Sequence, residues 1–295
     1  LLKKLEALER EHPSLVRPDS PTQRVGGEPV DGFETVPHAI PLLSLENAYS
    51  EEEVIGFDEK LRKELGHDSA LSFVAELKID GLCIALTYVD GLLCRGVTRG
   101  DGASGDDVTS NVRAIRALPL GLSGDFPGEI ELRGEIYLPR AAFNRVNAER
   151  EVSGESPFQN PRNAAAGSMR TLDPALVASR GLGAYIYDIG EVQSRGRDLS
   201  GTHHGKLEAL KSWGLPVEPN WRHCSDIQAV LDFCRYWSEN RHTVGFDIDG
   251  VVIKVDSLAE RIQIGSTAKF PRWAVAFKFP PEQATTRLIS IDVSV

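Results

Sequence analysis

Of 295 residues, 41% are hydrophobic and 26% charged, with 27 glycines and 17 prolines, which excludes collagen, coiled coil and wholesale disorder. Acids outnumber bases 43 to 33, so the field of the whole chain repels a polyanion, and any contact with nucleic acid must come from local basic patches. No apolar run approaches the roughly 18 residues of a membrane span and no secretory signal opens the chain, so a soluble intracellular protein is expected.

Leu1, Leu2, Leu5 and Leu8 predict an amphipathic helix that stops before Pro13, followed by a Pro- and Gly-rich stretch to Pro41. Ser50 and Glu53 form a capping box for a second helix, whose apolar face is Val54, Phe57, Leu61 and Leu65 and whose end is Gly66. From Leu71 the period changes to two, and a strand over 71–78 puts Leu71, Phe73, Ala75 and Leu77 on one face and Glu76 and Lys78 on the other. Strands at 82–88 and 92–98 flank Asp90-Gly91, a hairpin signal. Further strands are predicted at 130–138, 183–187, 251–255 and 273–279. Helices fall after Pro139, at 163–169, at 206–213, and after a cap formed by Ser225 with Gln228. Hairpins with interspersed helices and no regular βαβ alternation predict an α+β fold with antiparallel sheets.

Methionine occurs once, at Met169, and residues 288–295 alternate as a strand with no partner, so the chain reads as part of a longer protein. Cys83, Cys94, Cys224 and Cys234 form no CxxC pair, which favours free buried thiols over a zinc site.

Several short strings carry chemistry. Lys78-Ile79-Asp80-Gly81 ends a strand, where a sheet can hold a reactive group rigidly at a cleft, although alone it reads more readily as a solvated lysine before an Asp-Gly turn. Thr98-Arg99-Gly100-Asp101-Gly102 pairs glycines that permit close backbone approach with an arginine suited to phosphate; it is neither a P-loop nor a dinucleotide fingerprint. Arg133-Gly134-Glu135 ends another strand. Lys254 and Lys278 lie in apolar strands, where an unpartnered lysine is expensive to desolvate and an anionic ligand offsets that cost. Strict alternation places Asp249 and Lys254 on opposite faces, which a bulge at Gly250 reconciles.

In order, KIDG at 78–81, RGE at 133–135, DGVVIKV at 249–255 and FKF at 277–279 resemble the motifs of covalent nucleotidyltransferases, the superfamily of DNA ligases and capping enzymes. TRGDG at 98–102, NPRNAAAGSMR at 160–170 and PLLSLENAY at 41–49 resemble bacterial NAD-dependent DNA ligases in particular. The resemblance covers nearly the whole chain. It implies a nucleotidyltransferase fold, ATP-grasp-like, of antiparallel sheets with flanking helices. It also implies a helical remnant at 1–32, an adenylation domain at 33–281 and the start of an OB domain at 282–295.

The same resemblance implies that Lys78 takes AMP from NAD as a phosphoramidate, with nearby cations such as Lys254, Lys278 and Arg99 lowering the amine's pKa and balancing phosphate charge. Asp80 and Asp249 match acids needed for transfer. Glu76 and Tyr187 match residues at the adenine, Tyr187 by stacking with Lys254 over the other ring face, and Glu135 matches the residue holding the ribose. Arg99 and Lys278 match cations near ribose and phosphate, and Ser44 and Leu45 match residues lining the dinucleotide site. Arg162, Arg170 and Arg241 match contacts to nicked DNA or nucleotide phosphate. Magnesium, or manganese in its place, is the implied metal, with no zinc in this stretch. The implied setting is a monomer in the bacterial cytoplasm acting on nicked double-stranded DNA, with adenosine, AMP or NAD in the pocket and no membrane. An ATP-using relative and a nucleotide-binding module without transfer are the competing readings.

Overall fold

The computed structural model describes residues 1–25, 32–66, 71–126, 128–193, 201–281, 287, 289 and 290. Helix α1 (Leu2–Glu11) follows the leucine spacing yet buries none of its residues. After β1 (Thr35–Pro37) and β2 (Glu46–Ala48), α2 (Glu51–Leu65) begins where the Ser50 hydroxyl accepts the Glu53 N–H at 3.3 Å, a cap worth about 1 kcal/mol. The Glu53 carboxylate closes the box one residue early, accepting from the Tyr49 N–H at 2.8 Å. Gly66 ends the helix at φ 67°.

Next come β3 (Phe73–Ile79), β4 (Leu82–Val89) and β5 (Leu92–Thr98), the last two joined through Asp90 and Gly91 at φ 48° and 80°, as a tight hairpin requires. Then follow β6 (Ser104–Asp106), α3 (Thr109–Ala114), β7 (Glu129–Tyr137), α4 (Arg140–Val152), α5 (Pro161–Met169), α6 (Pro174–Arg180) and β8 (Gly183–Gln193). The remainder is α7 (His203–Ser212), β9 (Arg222–Cys224), α8 (Ile227–Asn240), β10 (Ile248–Val255), α9 (Leu258–Ile264) and β11 (Ala274–Lys278).

The expected α+β class holds. One sheet has the order β2-β11-β10-β3-β9, a second β5-β4-β7-β8, and β1 pairs with β6. All these pairings are antiparallel except β2 with β11, which is parallel. That departs from the all-antiparallel expectation because strands so distant in sequence are not oriented by a turn.

Each sheet has its own core. Leu71, Phe73, Ala75 and Leu77 pack with Val54 and Leu61 of α2 and with Val230, Phe233 and Trp237 of α8. Ile84, Leu86, Tyr88, Ile130, Leu132 and Ile136 pack with α3, α5, α6 and α7. The alternation read from sequence thus sends the apolar face of β3 into one core and leaves Glu76 and Lys78 facing the second sheet.

Three local expectations are corrected. Helix α8 is capped by Asp226, which accepts from Ala229 N–H at 2.9 Å, while the Ser225 hydroxyl donates to that same carboxylate; a charge suits the positive helix end better than a hydroxyl. Helix α7 starts at His203 under a Thr202 cap, ahead of the expected start, because its first histidines break the apolar period that was followed. The four cysteines are free, but Cys94 is exposed and Cys83 half-buried, so only Cys224 and Cys234 are buried thiols. The strand expected from Leu288 lies outside the described residues. Among the described residues, no helix is long and apolar enough to cross a membrane.

Candidate active site

The two large sheets face each other across a cavity of about 970 Å³. One wall is formed by β3, β10 and β11, which present Glu76, Lys78, Lys254 and Lys278. The other is formed by β4, β7 and β8, with Cys83, Glu135 and Tyr187, and α5 adds Arg162 and Arg170 at the side. The segment from Ile40 to Asn47 runs along the cavity and brings Ser44 and Leu45 to it. Arg99, at the end of β5, anchors that segment by donating to the Ser44 hydroxyl at 2.7 Å and to the Leu42 carbonyl at 3.3 Å.

The row through Lys78 follows from strand register. Gly250 of β10 lies opposite Lys78 of β3 on one side and Lys278 of β11 on the other. A Cβ at Gly250 would run into the Phe277 carbonyl, so the position needs glycine. The register of β10 against β3 slips between Ile248 and Gly250, the irregularity that the sequence requires if Asp249 and Lys254 are to serve one site. Asp249 thereby lies between the lysines: its Oδ1 is 3.0 Å from Lys78 Nζ and its Oδ2 accepts from Lys278 Nζ at 2.5 Å. Burial pushes the Asp249 carboxyl up, but Lys78 and Lys278 outweigh it and hold the group below the ordinary range. Asp80 turns the other way and accepts from Arg162 at 3.0 Å.

At the far end, the Lys254 ammonium is buried, 2.7 Å from Glu76 Oε1, 3.1 Å from His203 Nε2 and 3.3 Å from the Tyr187 carbonyl. It also lies 5.0 Å from the centroid of the Tyr187 ring. Burial would raise Glu76, yet Lys254 and His203 overcome it and keep the carboxylate ionised. Burial and Lys254 drive His203 down to about 4, so its imidazole is neutral at pH 7. Burial pushes Glu135 up to about 8 despite the pull of Lys78 and Arg162. Glu218, also at this end, accepts from Asn220 on both oxygens, yet burial outweighs those bonds and raises it to about 7.

The structure therefore gathers Ser44, Leu45, Glu76, Lys78, Arg99, Glu135, Arg162, Arg170, Tyr187, Lys254 and Lys278 around one cavity. Asp249 and Asp80 join it through their ion pairs. Arg241 stands apart from the lining and donates to the Pro280 carbonyl at 3.1 Å. Sequence reasoning missed His203, Glu218 and the Asp188–Lys206 pair, whose atoms lie 3.1 Å apart, with Asp188 on the cavity lining. Asp188 follows Tyr187 and opposes it in strand alternation, so only a bulge in β8 brings both to the cavity; the register of β7 against β8 shifts just there, between Arg133 and Gly134.

A magnesium ion finds no protein cage at this cavity. Among the described residues, no three His, Cys, Asp or Glu side chains converge there, and Asp249 and Asp80 are engaged by cations.

An α+β fold with two sheets closing on a cavity of paired acids and lysines is the architecture of a domain that handles a charged small ligand. The match to known families is more specific. Residues 30–282 match the NAD-dependent DNA ligase adenylation domain, and residues 1–26 match the DNA ligase-like, N-terminal NAD+-binding domain. The chain belongs to the NAD-dependent DNA ligase adenylation domain family. It is 51% identical over 296 residues to a DNA ligase of Methylococcus capsulatus, covering 100% of this chain and 44% of that protein. It is 50% identical over 295 residues to a DNA ligase of Heliobacterium modesticaldum, covering 100% of this chain and 43% of that protein. The chain thus spans less than half the length of these curated relatives. A solved mycobacterial DNA ligase D complexed with ATP and MES superposes at a TM-score of 0.41 with 16% identity, over 81% of this chain and 60% of that one.

Proposed function

We propose that Lys78 attacks the α-phosphorus of NAD. The new P–N bond forms as the bond from that phosphorus to the bridging oxygen breaks, and nicotinamide mononucleotide leaves with the oxygen, so AMP stays on the lysine. The observation that carries the reading is the Lys78 amine opening into the cavity while Asp249 grips it beside a second lysine. Attack needs the unprotonated amine. Asp249, held below the ordinary carboxylate range, is a weak base; its part is to aim the amine and to balance charge with Lys278 as phosphate arrives.

Glu76, Tyr187 and Lys254 make the adenine end of this site, Glu135 the ribose end, and Arg99 with Lys278 the phosphate end, with Ser44 and Leu45 along the dinucleotide. A base sandwiched between Tyr187 and Lys254 needs roughly 7 Å, two van der Waals layers, and the present separation is 5.0 Å. The Lys254 stem therefore shifts when the base enters.

In the longer protein, AMP passes from Lys78 to the 5′-phosphate of nicked double-stranded DNA, with Asp80, Arg162 and Arg170 at the cavity mouth and Arg241 beyond it. The protein acts as a monomer in the bacterial cytoplasm. Magnesium, or manganese, is carried mainly by substrate phosphates and water, consistent with its preference for keeping water ligands. The adenylation domain spans 33–281, preceded by the helical remnant that carries α1.

Intact-mass measurement after incubation with NAD and magnesium tests the reading. One adenylyl group is expected on the wild-type chain and none on Lys78→Ala. Adduct from ATP but not NAD would assign the chain to the ATP-using class, and binding of AMP without any adduct would leave it a nucleotide-binding module.

A further inference from the structure

Away from the cavity, His204 of α7, His223 of β9 and Asp256, which directly follows β10, bring one ligand atom each to a single point, all within 4.8 Å of one another. We propose that these three side chains bind one divalent cation of the zinc class. His204 Nδ1 lies 2.7 Å from Asp256 Oδ2, and His223 Nε2 lies 3.5 Å from the same oxygen. The two imidazole rings sit 4.9 Å apart, tilted at 57°, so their nitrogens converge and do not stack.

The carboxylate is built in before any cation arrives. Asp256 has a side chain 3% exposed, and its Oδ1 accepts from the His204 backbone N–H at 2.9 Å, leaving Oδ2 to face the rings. Its backbone is pinned on both sides, by its own N–H to the Ser72 carbonyl at 2.9 Å and by its carbonyl to the His203 N–H at 2.8 Å. The imidazoles are 40% and 45% exposed, which gives a cation a way in and leaves a coordination position for water. With metal bonds of about 2.1 Å, neighbouring ligand atoms of a tetrahedral site lie about 3.4 Å apart. The His223–Asp256 spacing already meets this, and the half-exposed His204 ring reaches it by swinging out about 0.7 Å.

Two imidazoles and a carboxylate suit zinc and its transition-metal neighbours, whereas magnesium wants oxygen alone, so this site is separate in kind from the metal that accompanies nucleotide phosphates. The three residues are far apart in sequence and include no cysteine, which is why a search for cysteine spacing predicts no zinc. A bound cation joins the first turn of α7 to β9 and to the end of β10. It thereby steadies the neighbouring His203, whose Nε2 is 2.7 Å from Glu76 at the base end of the cavity.

Cobalt(II) is the probe, added to the 295-residue chain carrying Cys94→Ser so that the exposed thiol takes no part. The expected result is saturable uptake of one cobalt per chain with the visible absorption of a four-coordinate ion, displaced by zinc and not by excess magnesium. His204→Ala and His223→Ala each weaken uptake on the order of a hundredfold, and zinc raises the melting temperature of the parent chain but not of these variants. Both histidines are surface residues, and metal-free melting curves matching the parent show that the variants are folded; where one melts lower, the Asn substitution replaces Ala. Absence of saturable uptake, or uptake that survives in the His204→Ala/His223→Ala double variant, would overturn the proposal.

Discussion

Replacing Lys254 by Met leaves the Glu76 carboxylate, 8% exposed, facing a methionine and the His203 imidazole alone. In the native chain that carboxylate is 2.7 Å from both Lys254 Nζ and His203 Nε2, and the attraction of these groups exceeds its desolvation. Removing one member of a buried ion pair costs about 3 to 5 kcal/mol, because the surviving charge has lost water and partner together. Removing both members with Glu76→Leu and Lys254→Met deletes that orphaned charge; what remains is an unfilled His203 Nε2, worth about 1 to 3 kcal/mol. The double variant is therefore expected to be no less stable than Lys254→Met alone, with a coupling between the two positions of about 2 kcal/mol or more. Urea unfolding at pH 7, read as midpoint and slope for the parent, both single variants and the double variant, measures this directly. Single effects that add to within about 0.5 kcal/mol would show that the pair is not energetically coupled and would refute the reasoning.

Two further outcomes follow from the same geometry. Glu218 has its carboxyl raised from 4.5 to about 7, so between those values the folded chain holds a proton that the unfolded chain has released, and stability falls as pH rises through the window. Glu218→Gln removes that fall: the difference between variant and parent stability should grow in the variant's favour across the window, by at most about 3 kcal/mol, and parallel curves would contradict the assignment. Asp226→Ala should lower stability by about 1 kcal/mol through loss of the α8 cap, while Ser225→Ala changes it by less than about 0.5 kcal/mol; the reverse ranking in thermal melts would return the cap to Ser225.

Much of the site is visible in strand alternation. Period two on β3 is enough to send Glu76 and Lys78 to the same side, because the opposite face is filled by Phe73, Ala75 and Leu77. The place of Asp249 is legible only as a contradiction, since regular alternation separates it from Lys254 and a break at Gly250 is needed to reunite them. Alternation names the faces of a strand but not the sheet that each face meets, so the meeting of Glu135 and Tyr187 with the lysines across the cavity rests on the motif resemblance and not on periodicity. His203 and the parallel pairing of β2 with β11 escape for related reasons. One is a polar residue in the first turn of a helix, and the other joins strands too distant in sequence for any turn to set their direction. The convergence of His204, His223 and Asp256 is of the same kind, a product of tertiary packing with no local spacing to announce it.

The central claim is that the amine at position 78 is the acceptor of AMP. Peptide mapping by tandem mass spectrometry, after reaction with NAD under mildly alkaline conditions that preserve a phosphoramidate, tests it most directly. The account predicts the adenylyl group on the peptide containing Lys78 and on no other. An adduct on Lys254 or Lys278, or one that persists in Lys78→Ala, would contradict it.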